Sequence, residues 1–370
     1  MASAYQIVDT DIHPGMPRDP VAARLPEPWR TRFLGGNRGS GTMGYWNPNG
    51  VNRADAVTPD GERIENDPHH LARYFMDQYD IDCGILNTGS VLHLGLSPEV
   101  DYAAAVIHAM NGVLIEEWLP VDARYRASLA VYPHDVDLAV QEIHRWGAHP
   151  GVVQVIMPSA SRMPYGQRYF HPIYAAAAEY DLPIAIHPGT EGVGLSGAPT
   201  NVGYPSNYFE WHTNLVSSYI AHMVSMVMEG VFIKFPTLKF VLIEGGVSWV
   251  PPLLWRFDKN WKALRMTTPW LERLPSEYVT EHVLLTTQPL EEPENPAHFH
   301  AILEMFDAAK MLMFSTDYPH WDGDTPDFAA RAFPKEMRNA IMYENACKLY
   351  KINLPSNGQA KPAEREAQYA

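Results

Sequence analysis

The sequence predicts a (β/α)8 barrel with long insertions after its first and fifth strands. Two observations carry this. Short, fully apolar runs alternate with helix-period segments almost to the end of the chain, and there are eight of each. The runs are apolar on consecutive positions rather than alternate ones, as in parallel strands covered on both faces. A doubly wound open sheet is the competing architecture, but no G-x-G-x-x-G turn follows the first strand. A chain of 370 residues, 46% hydrophobic and 19% charged, suffices for one barrel with a large core.

The predicted strands are "QIVDTDIH" (6–13), "CGILNTG" (83–89), "ASLAVYP" (127–133), "GVVQVIM" (151–157), "PIAIHPG" (183–189), "KFVLIEGG" (239–246), "HVLLTTQ" (282–288) and "MLMFSTDYP" (311–319). The predicted helices span 68–80, 100–119, 136–147, 171–181, 210–230, 250–265, 295–309 and 334–350. Residues 1–355 then form one barrel domain. Residues 14–67, rich in Gly, Pro and Asn, read as a lid or interface insertion, because apolar residues such as Leu25, Trp29, Phe33, Leu34, Met43, Tyr45 and Trp46 are too scattered for a core of their own. The second elaboration, 190–215, is Gly-rich and then aromatic. The tail 356–370 has little apolar content.

Composition narrows the function. A net charge of −15 argues against nucleic acid or an anionic membrane as partner. No apolar run reaches the length of a membrane span. The N-terminus lacks a basic, apolar leader pattern, and two cysteines, Cys83 and Cys347, make no disulfide framework, so a cytoplasmic protein with free thiols is expected.

The chemistry-bearing residues sit at strand ends, where barrels of this kind carry their sites. Asp11 and His13 end the first strand, His187 the fifth, Glu244 the sixth and Asp317 the eighth. In "VDTDIHP" the polar groups Asp9, Asp11 and His13 alternate with Val8, Thr10 and Ile12, so they share one face of a strand. Two histidines with two or three carboxylates form a ligand set for a borderline-to-hard divalent ion: Zn by expectation, with Mn or Fe as alternatives. Such an ion lowers the pKa of bound water or holds a chelating substrate.

Together these motifs resemble the amidohydrolase-related metal-dependent hydrolases, in the branch that includes aminocarboxymuconate-semialdehyde decarboxylase and the hydroxybenzoate decarboxylases. The resemblance runs from about Ile7 to Leu349, through Asp11-x-His13, "AIHPG", "FSTDYPH" and the ending "NAIMYENACKLYKI". It implies that Asp11, His13, His187 and Asp317 are the metal ligands, with Asp9 behind them. The chain departs from the family pattern at the sixth strand, where Glu244 in "LIEGGVSWVP" replaces a catalytic histidine. Glu244 is therefore a candidate base or an added metal ligand, even a bridge to a second ion.

His212 and His320 are the other catalytic candidates. His212 lies ten positions before His222 on the predicted helix 210–230, and the pair share roughly one face, read as surface or interface apart from His212's nearness to the barrel mouth. His320 follows Asp317 and is expected to orient it or to contact substrate. Asp322 and Asp324 read as caps of the next helix, Arg162 and Arg168 as solvated loop residues or carboxylate binders, and the methionines of "AHMVSMVMEG" as packing.

Three functions follow as expectations. The first is a metal-dependent enzyme hydrolysing or decarboxylating a small carboxylated substrate. The second, on a more distant resemblance to the amidohydrolase-related 2-aminoisobutyrate hydroxylase subunits, is an iron or manganese oxygenase. The third is a non-catalytic partner subunit with a structural metal. A homo- or hetero-oligomer with a related subunit is expected in each case.

Overall fold

The computed structural model describes residues 5–35 and 52–355. Eight strands run in sequence order around one sheet: β1 (Val8–Ile12), β2 (Cys83–Leu86), β3 (Tyr125–Ala130), β4 (Val152–Pro158), β5 (Ile184–His187), β6 (Phe240–Leu242), β7 (Val283–Thr286) and β8 (Leu312–Met313). All seven neighbouring pairs are parallel. The barrel closes between β8 and β1, where the Thr10 amide donates to the Phe314 carbonyl at 3.0 Å and the His13 amide to Tyr318 at 2.7 Å.

Every strand was predicted, but β6 and β8 are shorter than their apolar runs. Beyond their ends, Glu244 and Asp317 adopt left-handed backbone at φ 59° and 56°, two and four residues past the last strand residue. Outside glycine this conformation is uncommon and costs roughly 1–2 kcal/mol, so the packing around each turn must hold it.

The predicted helix 210–230 is two helices, Tyr208–Thr213 and Val216–Met228. Asn207 caps the first, accepting from the Glu210 amide at 3.0 Å, and the Asn214 side chain donates back to the Glu210 carbonyl at 2.7 Å. These short polar side chains satisfy helix-end groups and break the periodicity. The break separates His212 from His222. His222 is not an interface residue: it is buried, accepting from the Tyr165 amide at 3.0 Å through Nδ1 and donating to the Ser159 carbonyl at 2.6 Å through Nε2.

The described parts of 14–67 pack on the barrel. Val21, Ala22 and Leu25 are buried, and Arg24 pairs with Glu116 and Glu117. Within the segment the Gly15 amide donates to the Glu65 carbonyl at 2.6 Å, and the Arg53 amide reaches the barrel at the Pro319 carbonyl, 3.0 Å away. Met43, Tyr45, Trp46 and the tail 356–370 lie outside the described residues. Among the described residues, no helix is long and apolar enough to cross a membrane.

Candidate metal centre

Asp11, His13, His187, Glu244 and Asp317 meet at the C-terminal mouth of the barrel, each offering a donor atom within 4.8 Å of the others. His13 Nε2 lies 3.2 Å from His187 Nε2, 2.9 Å from Asp317 Oδ1 and 3.3 Å from Asp11 Oδ1. His187 Nε2 lies 3.5 Å from Asp11 Oδ2 and 3.3 Å from Glu244 Oε2. All five side chains are at least nine-tenths buried.

The opposite edges of the two imidazoles fix what they present to this point. His13 Nδ1 contacts the Asn87 carbonyl at 2.8 Å, and His187 Nδ1 the Pro188 carbonyl at 2.9 Å. A carbonyl only accepts, so each Nδ1 carries its proton. In the neutral rings, each Nε2 then presents a lone pair. Two lone pairs and three carboxylates converging in a buried space repel one another unless a cation lies between them. The Oδ2 atoms of Asp11 and Asp317 are buried without a hydrogen-bond partner, which in a folded core calls for a ligand. The donor set fits a divalent metal.

Neighbouring groups hold these side chains in place. Asn87 Nδ2 donates to Asp11 Oδ1 at 2.8 Å while its backbone carbonyl takes the His13 proton. Asn87 is tied in turn to Ser128, Gln154 and, through Gln154, to Tyr350 on the final helix. Asp9 lies behind the site, accepting from the Asp11 amide at 3.1 Å, the Thr316 amide at 3.0 Å and the Thr316 hydroxyl at 2.6 Å. Burial raises its carboxyl to about 7 despite these bonds. The same bonds pull the β8 end around and present Asp317. Glu191, buried after β5, accepts from the Gly189 and Thr190 amides and from Ser159 and Ser218, joining the ends of β4 and β5 to the helix behind them.

His320 donates from Nδ1 to Asp317 Oδ1 at 2.7 Å and stacks on His13 at 4.5 Å. Burial works against its imidazolium, but the Asp317 charge outweighs burial and raises its pKa. Burial would likewise raise Asp317, and the His320 charge beside it overcomes burial and holds the carboxyl below its usual range. Glu244 behaves differently. Burial, and then the charges of Asp317, Asp322, Asp11 and Glu191, push its carboxyl well above the ordinary value. A nearby cation reverses that preference.

His212 faces this site from the short helix Tyr208–Thr213, its Nε2 3.9 Å from Glu244 Oε1 and 3.4 Å from Asp322 Oδ2. Tyr208 stacks on the ring and Trp321 lies beside it. Asp322 and Asp324 do not cap the following helix; Thr325 does, accepting from the Phe328 amide. Asp324 instead accepts from the Leu290 amide at 3.1 Å. Arg162 and Arg168 are exposed, as solvated loop residues are.

Sequence reasoning missed Asn87, Glu191 and Asp322. Asn87 follows an apolar strand directly, the signal that identified His187, whereas Glu191 stands four residues past the end of β5. Asp322 carried only a turn signal.

Residues 8–352 match the family described as amidohydrolase. Among curated proteins, the chain is 25% identical over 296 residues to the γ-resorcylate decarboxylase of Rhodococcus jostii, covering 75% of this chain and 86% of the relative. Among solved structures, it resembles 2,6-dihydroxybenzoate decarboxylase complexed with 2,6-dihydroxybenzoate, at 19% identity and TM-score 0.67 over 94% of this chain and 100% of the other. It also resembles the 5-carboxyvanillate decarboxylase of Novosphingobium aromaticivorans, complexed with manganese and 4-hydroxy-3-methoxy-5-nitrobenzoic acid. That match has 19% identity and TM-score 0.68, over 94% of this chain and 97% of the other.

Proposed function

The chain belongs to the amidohydrolase family, and from that premise we propose that it is a metal-dependent carboxy-lyase acting on a small hydroxylated aromatic carboxylate. The observation that carries this reading is the convergence of the His13 and His187 Nε2 lone pairs with three buried carboxylates. Family membership implies a divalent metal. Asp11, His13, His187 and Asp317 are the proposed ligands, with Glu244 as a further oxygen donor. The oxygen-rich set and the manganese in the 5-carboxyvanillate decarboxylase complex favour Mn2+ over the Zn2+ expected from sequence.

When bound, the ion supplies an anchor for the substrate's carboxylate and adjacent hydroxyl and neutralises their charge. The chain's own groups do the rest. Asn87 and Asp9 keep Asp11 and the β8 end in register, so the substrate is oriented rather than merely attracted. The His320–Asp317 pair holds a proton on Nδ1 beside the site. Delivered to the ring carbon that bears the carboxylate, that proton allows the C–C bond to break. The bonding pair stays with the ring and carbon dioxide leaves. Segment 14–67 is the proposed cover of this mouth, since Arg53 binds the backbone at Pro319 and Tyr318 donates to the Asp55 carbonyl.

The test is carbon dioxide release from 2,6-dihydroxybenzoate by the manganese-loaded protein. Stoichiometric release, abolished by chelation and by Asp317→Asn, is the expected outcome. Protein that binds manganese but releases none from a panel of ortho-hydroxylated benzoates contradicts the reading. The carboxylate-rich donor set also supports the oxygenase alternative, which predicts substrate-dependent oxygen uptake by iron-loaded protein in the same assay.

A further inference from the structure

We propose that the barrel mouth holds a second divalent cation, bound by His212 and Asp322 and joined to the first by Glu244 as a bridging carboxylate. This rests on the first site being a metal centre and goes beyond it.

Three donor atoms of His212, Glu244 and Asp322 lie within 4.8 Å of one another, as the first group's do. The two oxygens of Glu244 are divided between the groups: Oε2 lies 3.3 Å from His187 Nε2 on one side, and Oε1 lies 3.9 Å from His212 Nε2 on the other. A carboxylate between two metals takes this arrangement, with the ions about 3.5–4 Å apart. The left-handed turn at Glu244 sets the side chain between the two groups, and the Glu244 amide is held there by the Thr286 hydroxyl at 2.9 Å.

Asp322 supplies an independent sign. Its Oδ2 is buried and has no hydrogen-bond partner, although His212 Nε2 lies only 3.4 Å away. Two polar atoms so close without hydrogen-bond alignment are placed as co-ligands of one ion are. The same orphaning marks Asp11 Oδ2 and Asp317 Oδ2 in the first group.

Charge balance points the same way. Asp11, Glu244, Asp317 and Asp322 bring four carboxylates into one buried region. Among the described residues, their only ion-pair partners are histidines, with no lysine or arginine within reach. A divalent ion at each group of donors offsets this accumulation of buried negative charge.

The experiment uses the full chain, stripped with chelator and reloaded with Mn2+ alone. Titration calorimetry and elemental analysis should give two manganese per chain. His212→Ala and Asp322→Asn should each retain one, with affinity for the second reduced at least tenfold. Electron paramagnetic resonance should change from a spin-coupled signal to the six-line signal of isolated Mn2+. One manganese in the wild-type chain, lost in His187→Ala but untouched by His212→Ala, overturns the second site and leaves the first standing. No manganese in the wild type overturns both. Circular dichroism shows whether each variant is folded, and the wild-type stoichiometry decides the matter even if both variants fail to fold.

Discussion

At the scale of single residues, the site divides into groups that sequence could expose and groups it could not. Asp11, His13, His187, Glu244 and Asp317 were legible because each interrupts an apolar run at a strand end, where a titratable group has no packing reason to be. Asn87 and Asp322 were not. Their importance lies in what they touch, and Asp322 stands in "DGD", a stretch that reads equally well as a turn. Because His187 directs a lone pair into the cluster, His187→Ala should remove bound metal while the circular dichroism spectrum stays native. Asn87→Ala should lower metal affinity about 10–100-fold, since it removes the side-chain bond to Asp11 while the backbone carbonyl that His13 uses remains; unchanged affinity would show that Asp11 needs no such support. His222 offers a pH test. Its Nδ1 accepts and its Nε2 donates, so the folded chain holds it neutral, and burial lowers its pKa from 6.5 to about 4. The unfolded chain therefore takes up a proton first as pH falls. The stability His222 contributes is complete above pH 6.5 and is lost as pH falls through that value toward 4, to a total of about 3 kcal/mol. Denaturant titrations at pH 7 and 4.5 should show this drop in the wild type. In His222→Leu the chain should be less stable at pH 7 but flatter with pH, and an equal acid slope in both proteins would count against the assignment.

At the scale of elements, all eight strands were legible and their ends were not. Apolar periodicity reports burial, which continues past the last ladder bond, as at Ile243 after β6 and Phe314 after β8. The break in the helix predicted for 210–230 had a sequence signal in Asn207 and Asn214, but the apolar stripe across them masked it. The turn after β6 is the most tightly built of these boundaries. Gly245 has no room for a side chain: a Cβ there would lie 2.3 Å from the ring of the fully buried Tyr219, whose hydroxyl donates to the Ile243 carbonyl. Gly245→Ala must therefore push Tyr219 or the backbone on either side of Glu244. A loss of about 1–3 kcal/mol is expected from such overpacking, together with reduced metal occupancy because Glu244 moves. A variant that loses stability but keeps full occupancy would show that the turn supports the fold alone.

At the scale of the molecule, the barrel was legible because eight repeated units bury one another in a single order. The seating of the described parts of 14–67 was not, because their contacts with the barrel are scattered single pairs, such as Arg24 with Glu116 and Glu117 and the Arg53 amide with Pro319, that follow no period. Several contacts tie the segment to the residues of the candidate metal centre. Arg53 donates its amide to Pro319, two residues after Asp317, and its guanidinium pairs with Asp55 at 2.8 Å. Tyr318 donates to the Asp55 carbonyl at 3.3 Å and stacks on Phe75, while His13 donates its amide to Tyr318. The strand-end residues His13 and Asp317 thus share a backbone network with 53–55. A metal that binds only the folded site stabilises it by about 4 kcal/mol at a thousandfold excess over Kd, and openings that separate these ligands become rarer by the corresponding factor. Hydrogen exchange compared between metal-stripped and manganese-loaded protein should therefore slow together at 315–320 and 53–65, although 53–65 contributes no ligand. Helices remote from the mouth, such as Val136–Trp146, should change least. If protection rises at 315–320 and stays unchanged at 53–65, the segment is seated independently of the metal and does not act as its cover.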